Sequence, residues 1–260
     1  FMLLANETVA EHFYWMETPF VYRVHEKPAA DKIEQLRIFL KGFGITLRGN
    51  ADGIHPKAIC SVLDSAKGKP GEDVVNSVTL RSMQKAFYST SCEGHFGLAL
   101  KYYCHFTSPI RRYPDLMIHR IIKQSIHEGL SDKALKHFRK KAEYAADQSS
   151  IAERKAVEAE REVEKLKKAE YISYHVGEIF DGVISGVTGF GIYVQLENTV
   201  EGLVRIDELR DDYYDYHKEK YALEGRRTGN VYRLGDEVRV IVDHVDLEKH
   251  EIDFLIAGHL

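Results

Sequence analysis

GEIFDGVISGVTGFGIYVQLENTVEGLVRI, residues 177–206, changes the rhythm of the chain. Short β-branched and aromatic runs alternate here with glycine turns, which is the pattern of strands. GDEVRVIVDHVDLEKHEIDFLI (235–256) adds two alternating strands joined by a polar turn. Five short strands in about 85 residues fit a small Greek-key barrel of the OB type.

Upstream the periodicity is helical. Apolar residues recur at helical spacing in 1–13, 31–44, 71–88 and 114–129, and a strongly charged helix covers about 145–174. FVYRVHE (20–26) reads as a short strand. The expected fold class is therefore α+β, a mainly helical region followed by an all-β OB barrel. The boundary falls near Tyr174, giving domains 1–173 and 174–260.

The 260 residues suffice for one or two domains with a sizeable core. No stretch approaches the roughly 18–20 apolar residues of a membrane span, so no membrane partner is expected. FMLLANETVAEHF lacks the basic flank of a secretory signal and opens inside a helical pattern, which reads as a cut edge. Three dispersed cysteines, Cys60, Cys92 and Cys104, form no CxxC pair. They suit a reducing, cytoplasmic setting better than a disulfide framework or thiolate zinc site. The net charge of −4 conceals an asymmetry: residues 101–175 carry a net +5 and residues 176–260 a net −9.

TSPIRRYPD (107–115) places two arginines and a tyrosine between prolines. Taken alone it also suits a stiff loop with surface ion pairs. Its surroundings, GHFGLALKYYCHFTSPIRRYPDLMIHR (94–120), add histidines, aromatics and a helix start. Arg111, Arg112 and Arg120 could face a phosphodiester backbone, since arginine makes bidentate contacts to phosphate. The N-terminus of the following helix supplies backbone donors. His95, His105 and His119 match no zinc spacing and are expected as buried or hydrogen-bonding residues. The glycine-rich GKPGED (68–73) and GFGITLRGN (42–50) lack the context of nucleotide-binding loops.

The 94–120 stretch resembles the C-terminal signature of the ribonuclease II/ribonuclease R exoribonucleases. FMLLANETVAEHF, YRVHEKPAADKIEQL, LRSMQKAFYST, GHFGLAL and AERKAVEAEREVEKL resemble successive blocks of that family's RNB catalytic domain. The ending resembles its RNA-binding domain of the ribosomal S-one type. The resemblance implies a monomeric, processive 3′→5′ hydrolase acting on the 3′ end of single-stranded RNA and releasing nucleoside 5′-monophosphates. It also implies two magnesium ions held by an aspartate cluster of the form DDxxDxDD, which is absent here. RDDYYDY (210–216) has the letters but falls in the barrel, so no metal ligand is expected in this chain. In the family the cluster lies upstream of FMLLANE, and the chain reads as the C-terminal part of a longer enzyme.

Arg111 corresponds to the first arginine of the family's SPIR block and is implied to stabilise charge on the reacting phosphate. Arg112 and Tyr113 are carried over as RNA-binding. The glutamate of the family's AER block corresponds to Glu160, with a second AER at Glu153 competing. Arg23, His25 and Arg81 are expected to be structural or to line an RNA channel. On the barrel, Phe190 and Tyr193, with Phe180, are implied to stack on bases, helped by Arg205 and the basic residues of 218–227. The net −9 there argues against tight binding by charge alone. Two other readings stand beside hydrolysis: an RNA-binding module without catalysis, and a helical scaffold whose barrel binds a protein.

Overall fold

A computed structural model describes residues 1–69 and 71–259, and the side chains of all of these except Glu219 and His259. Pro70 of the 68–73 stretch and Leu260 of the expected barrel lie outside the described residues. By contact the chain divides into two compact units. One comprises Phe1–Ile33, Arg48–Cys60 and Arg81–Glu158; the other comprises Glu34–Leu47, Ser61–Leu80 and Ala159–Leu260. No described helix is long and apolar enough to cross a membrane.

The first unit is built on α1 (Met2–Trp15), a two-stranded ribbon of β1 (Tyr22–Val24) and β2 (Phe87–Ser89), and α5 (Tyr113–His127). It also takes the leading part of α6 (Asp132–Ser173). Its core joins Phe13 and Phe20 to Met117, Ile118 and Ile121 of α5 and to Phe138, Ala142, Ala145 and Ala146 of α6. The alanines fall at helical spacing, so α6 shows a flat face that packs closely. Buried Asn6 fastens α1 to the extended 102–106 segment. Its Nδ2 donates to Tyr103 Oη (3.3 Å), and the Phe106 N–H donates to its Oδ1 (3.0 Å). Arg23 N–H donates to the Tyr103 carbonyl on the other side of β1 (3.0 Å).

Two helix expectations change. The helix expected over 71–88 is α4 (Glu72–Arg81) and ends seven residues early, because Phe87–Ser89 pairs with β1 instead. Ser150 of α6 secures this pairing by accepting the Tyr88 N–H at 2.9 Å. The long helix begins at Asp132 rather than near 145, and α3 (Pro56–Ala66) was not foreseen.

In the second unit, β3 (Ile179–Thr188), β4 (Gly191–Leu196), β5 (Glu201–Arg205), β9 (Glu237–Asp246) and β10 (Glu251–His259) close into a barrel. Neighbours are antiparallel except β10 and β5, whose parallel pairing seals it. This is the expected OB barrel. An unforeseen sheet of β6 (Tyr214–His217), β7 (Ala222–Gly225) and β8 (Val231–Arg233) is inserted between β5 and β9. The unit also takes in most of α2 (Ala30–Gly42), whose Phe39 ring meets Tyr221 edge-on at 5.3 Å.

Candidate nucleic-acid interface

The 107–115 loop closes on the carboxylate of Asp115. That residue is buried in the first turn of α5, and its Oδ2 accepts three bonds: Ser108 N–H (2.8 Å), Arg112 Nε (3.1 Å) and Arg112 Nη2 (2.8 Å). Its Oδ1 has no hydrogen-bond partner among the described residues. The backbone N–H groups of Arg111 and Arg112 both donate to the Ser108 carbonyl, which winds 108–112 into a tight turn. Arg112, which was expected on RNA, spends two of its nitrogens on Asp115, a use that offsets the cost of burying a carboxylate without a cation. Arg111, one residue earlier, is exposed, and its guanidinium makes no hydrogen bond or ion pair among the described residues. Tyr113 opens α5 and is 41% exposed.

Arg23 is neutralised as well. Its guanidinium binds Glu153 in a fork, Nη1 to Oε2 at 2.6 Å and Nη2 to Oε1 at 2.9 Å. It lies over the Tyr88 ring with Cζ 4.6 Å from the centroid. Ser150 and Glu153, three apart on α6, thus reach β2 and β1 from one helix face. Glu160, the glutamate expected at the site, is exposed on α6, and its carboxylate has no hydrogen bond or ion pair among the described residues. The AER that meets the arginine cluster is the one at Glu153.

Beneath the arginines runs a chain of rings. His25 and His95 stand 5.0 Å apart, His95 and Tyr103 5.1 Å, Tyr103 and His105 5.8 Å, and His105 and Tyr88 5.6 Å. Burial pushes His95 down to about 4, with His25 and Arg23 adding to the shift. Burial pushes His105 down to about 3, and Arg112, Arg23, His95 and Arg111 add to it in that order. Both imidazoles are therefore neutral at physiological pH. Burial raises the Tyr88 phenol, so its O–H is retained, and it is hydrogen-bonded to His105 Nδ1 at 2.9 Å. His119 stacks on Phe106 (4.4 Å, 12°) and donates from Nε2 to the Phe106 carbonyl (3.0 Å), which is a structural role.

On the barrel, Phe190 and Tyr193 line a groove of about 480 Å³ together with Leu203, Arg205, Lys165 and Lys168. Phe190 sits at the β3–β4 turn and is 55% exposed. The two rings stand perpendicular (89°) with centroids 6.2 Å apart. Perpendicular rings present stacking faces in two different directions. Gly191 permits the arrangement, because a side chain at that position would run into the Val204 carbonyl. Arg205 is paired with Asp253 (3.2 and 3.3 Å) in an exposed contact. Phe180 is not brought to this groove; its ring rests edge-on against His175 at 6.0 Å.

RDDYYDY is structural. Burial pushes Asp212 up, but the N–H groups of Thr228, Arg227 and Tyr213 outweigh it and hold the carboxyl well below its usual range. Burial likewise pushes Asp211 up, and hydrogen bonds from Asn230 and Tyr214 more than offset it. Both carboxylates thus anchor the inserted sheet and are poor candidates for metal ligands. Among the described residues, no three His, Cys, Asp or Glu side chains gather as a ligand set.

Two outcomes follow from the arginine cluster. Arg112→Ala leaves Asp115 buried without its cation and should cost about 3–5 kcal/mol in urea unfolding, whereas Arg111→Ala should cost less than about 0.5 kcal/mol. Equal losses would contradict the division of roles. The pH dependence has a defined sign. Well above pH 6.5 neither form of the chain protonates these histidines. As the pH falls below 6.5, the unfolded chain takes up protons at His95 and His105 that the folded chain refuses until about 4 and 3. Stability is therefore lost on acidification, and the unfolding temperature should drop between about pH 7 and 5. The drop should be smaller in His105→Asn; an equal drop in that variant would show that His105 titrates normally.

Residues 1–128 match the RNB domain and residues 173–257 the S1 RNA binding domain. The chain is 48% identical over 255 residues to Ribonuclease R 1 of Lactococcus lactis subsp. lactis, covering 98% of this chain and 31% of that protein. It is 42% identical over 263 residues to Ribonuclease R of Aquifex aeolicus, covering 100% of this chain and 37% of that protein. The solved structure of Mycoplasma genitalium RNase R in complex with ribose methylated single-stranded RNA superposes with a TM-score of 0.90 at 32% identity. That match covers 98% of this chain and 40% of the other. The chain thus spans about a third of the length of these curated relatives. With part of an RNB domain followed by an S1 domain, it belongs to the ribonuclease R family.

Proposed function

We propose that this chain is the RNA-gripping part of a processive 3′→5′ exoribonuclease, which hydrolyses single-stranded RNA from its 3′ end to nucleoside 5′-monophosphates. The observation that carries the reading is the state of the three arginines around His105. Glu153 neutralises Arg23 and Asp115 neutralises Arg112, while Arg111 makes no ion pair among the described residues. A rigid turn thus holds out one guanidinium. Such a group can meet two phosphate oxygens at once and stabilise charge as it develops on them. The ribonuclease R structure with bound single-stranded RNA supports the substrate class.

In this reading Arg111 is the catalytic residue, and Arg112 and Glu153 are positioning residues. Tyr113 borders the phosphate. Phe190 and Tyr193, beside Arg205, take the bases upstream of the 3′ end. The reaction uses a divalent metal, magnesium by family resemblance. Among the described residues no carboxylates gather as its ligands. We place the protein in the cytoplasm as a monomer; its three free thiols would stay reduced there. A second reading, RNA binding by this chain without hydrolysis, is favoured by the internal bonds that occupy Asp211 and Asp212.

In a complete enzyme containing this chain, Arg111→Ala should lower turnover on single-stranded RNA by on the order of 10²–10³-fold. Its RNA affinity should fall far less. A loss of affinity equal to the loss of turnover would assign Arg111 to ground-state binding instead.

A further inference from the structure

Residues 176–260 carry 18 acidic side chains against 9 basic ones, yet the ring-bearing groove lies on these strands. The barrel wall of the groove brings Glu201, Glu251 and Asp253 to it. Arg205 offsets Asp253, and Glu201 accepts a hydrogen bond from Ser185 Oγ. A phosphate laid against this wall would still meet net negative charge.

The facing wall is the end of α6. Lys165 and Lys168 are three residues apart, so they share one helix face. Lys165 donates to Glu162 at 3.0 Å, and His250 approaches the same carboxylate at 3.7 Å. Lys168 is half-buried against the groove, and its ammonium makes no hydrogen bond or ion pair among the described residues. The groove thus has rings on one side and an unpaired ammonium on the other. A nucleic-acid strand has the same two-sidedness, with bases along one edge and phosphates along the other.

We infer that Lys168, with Lys165 beside it, receives the phosphates of a single-stranded RNA whose bases stack on Phe190 and Tyr193. The inference rests on the RNA-binding reading above and adds the source of the charge, which is the helix rather than the barrel. A lysine suits the task because its compact ammonium on a flexible stem contacts phosphate without demanding a base sequence.

The test is the affinity of the 260-residue chain for a short labelled oligoadenylate, measured by fluorescence anisotropy across a range of salt. Phe190→Ala should weaken binding at every salt concentration and leave the slope of log affinity against log salt unchanged. Lys168→Ala should weaken binding most at low salt and make that slope shallower by about 0.7, the value for one phosphate contact to a single strand. Lys155→Ala, on the exposed surface of α6 outside the groove, should change neither quantity. If Phe190→Ala weakens binding and Lys168→Ala leaves the slope intact, the inference is overturned while RNA binding by the barrel stands. If neither variant loses affinity, both fall. Equal changes of slope in Lys168→Ala and Lys155→Ala would indicate diffuse attraction and would also overturn the inference.

Discussion

The buried carboxylate of Asp115 sets the geometry of the arginine loop. A carboxylate without access to water needs a cation and hydrogen-bond donors. Arg112 and the Ser108 N–H supply them, and in doing so they wind 108–112 into a turn. Once Arg112 is committed inward, Arg111 must point elsewhere. The pair is neutral as a unit, so the charge left over at the loop belongs to Arg111. Pro109 within the turn and Pro114 just beyond it restrict the backbone. A guanidinium held this way loses little entropy on meeting a phosphate.

The same logic extends to the layer beneath. Three arginine charges act on His105, and burial combines with them to keep the ring neutral. A neutral imidazole can sit under a cationic cluster, where a protonated one would be expelled. Tyr88 then bridges the two layers, with its phenol on His105 and its ring under Arg23. Glu153 completes the arrangement by neutralising Arg23. The result is a polar stack in which most charges cancel and one arginine is left to act.

The barrel was legible in the sequence because its strands alternate and its turns carry glycine, both local signals. Helix α5 was legible from Pro114 in its first turn and Gly129 beyond its end. The stretch 82–89 was not. Its helical spacing loses to pairing with β1 and to the Ser150 bond, contacts that span tens of residues and leave no local trace. The inserted sheet β6–β8 was missed because its order comes from Asp211 and Asp212, which bind the 227–230 loop across the insertion. The choice between Glu153 and Glu160 could not be made by helix face. Seven residues separate them, nearly two full turns, so both AER motifs point almost the same way. Only the height at which α6 passes β1 distinguishes them, and that height is a tertiary property. In the same way RRY shows two arginines but not which of them will be consumed by Asp115.

The central claim is that Arg111 is available to phosphate and Arg112 is not. It can be read directly by NMR from the side-chain Nε–Hε resonances of the two arginines while the chain is titrated with a nucleoside 5′-monophosphate. The account predicts that the Arg111 signal shifts in a saturable way, while the Arg112 signal stays in place and its Hε exchanges slowly with solvent. A shifting Arg112 with an unmoved Arg111 would contradict it.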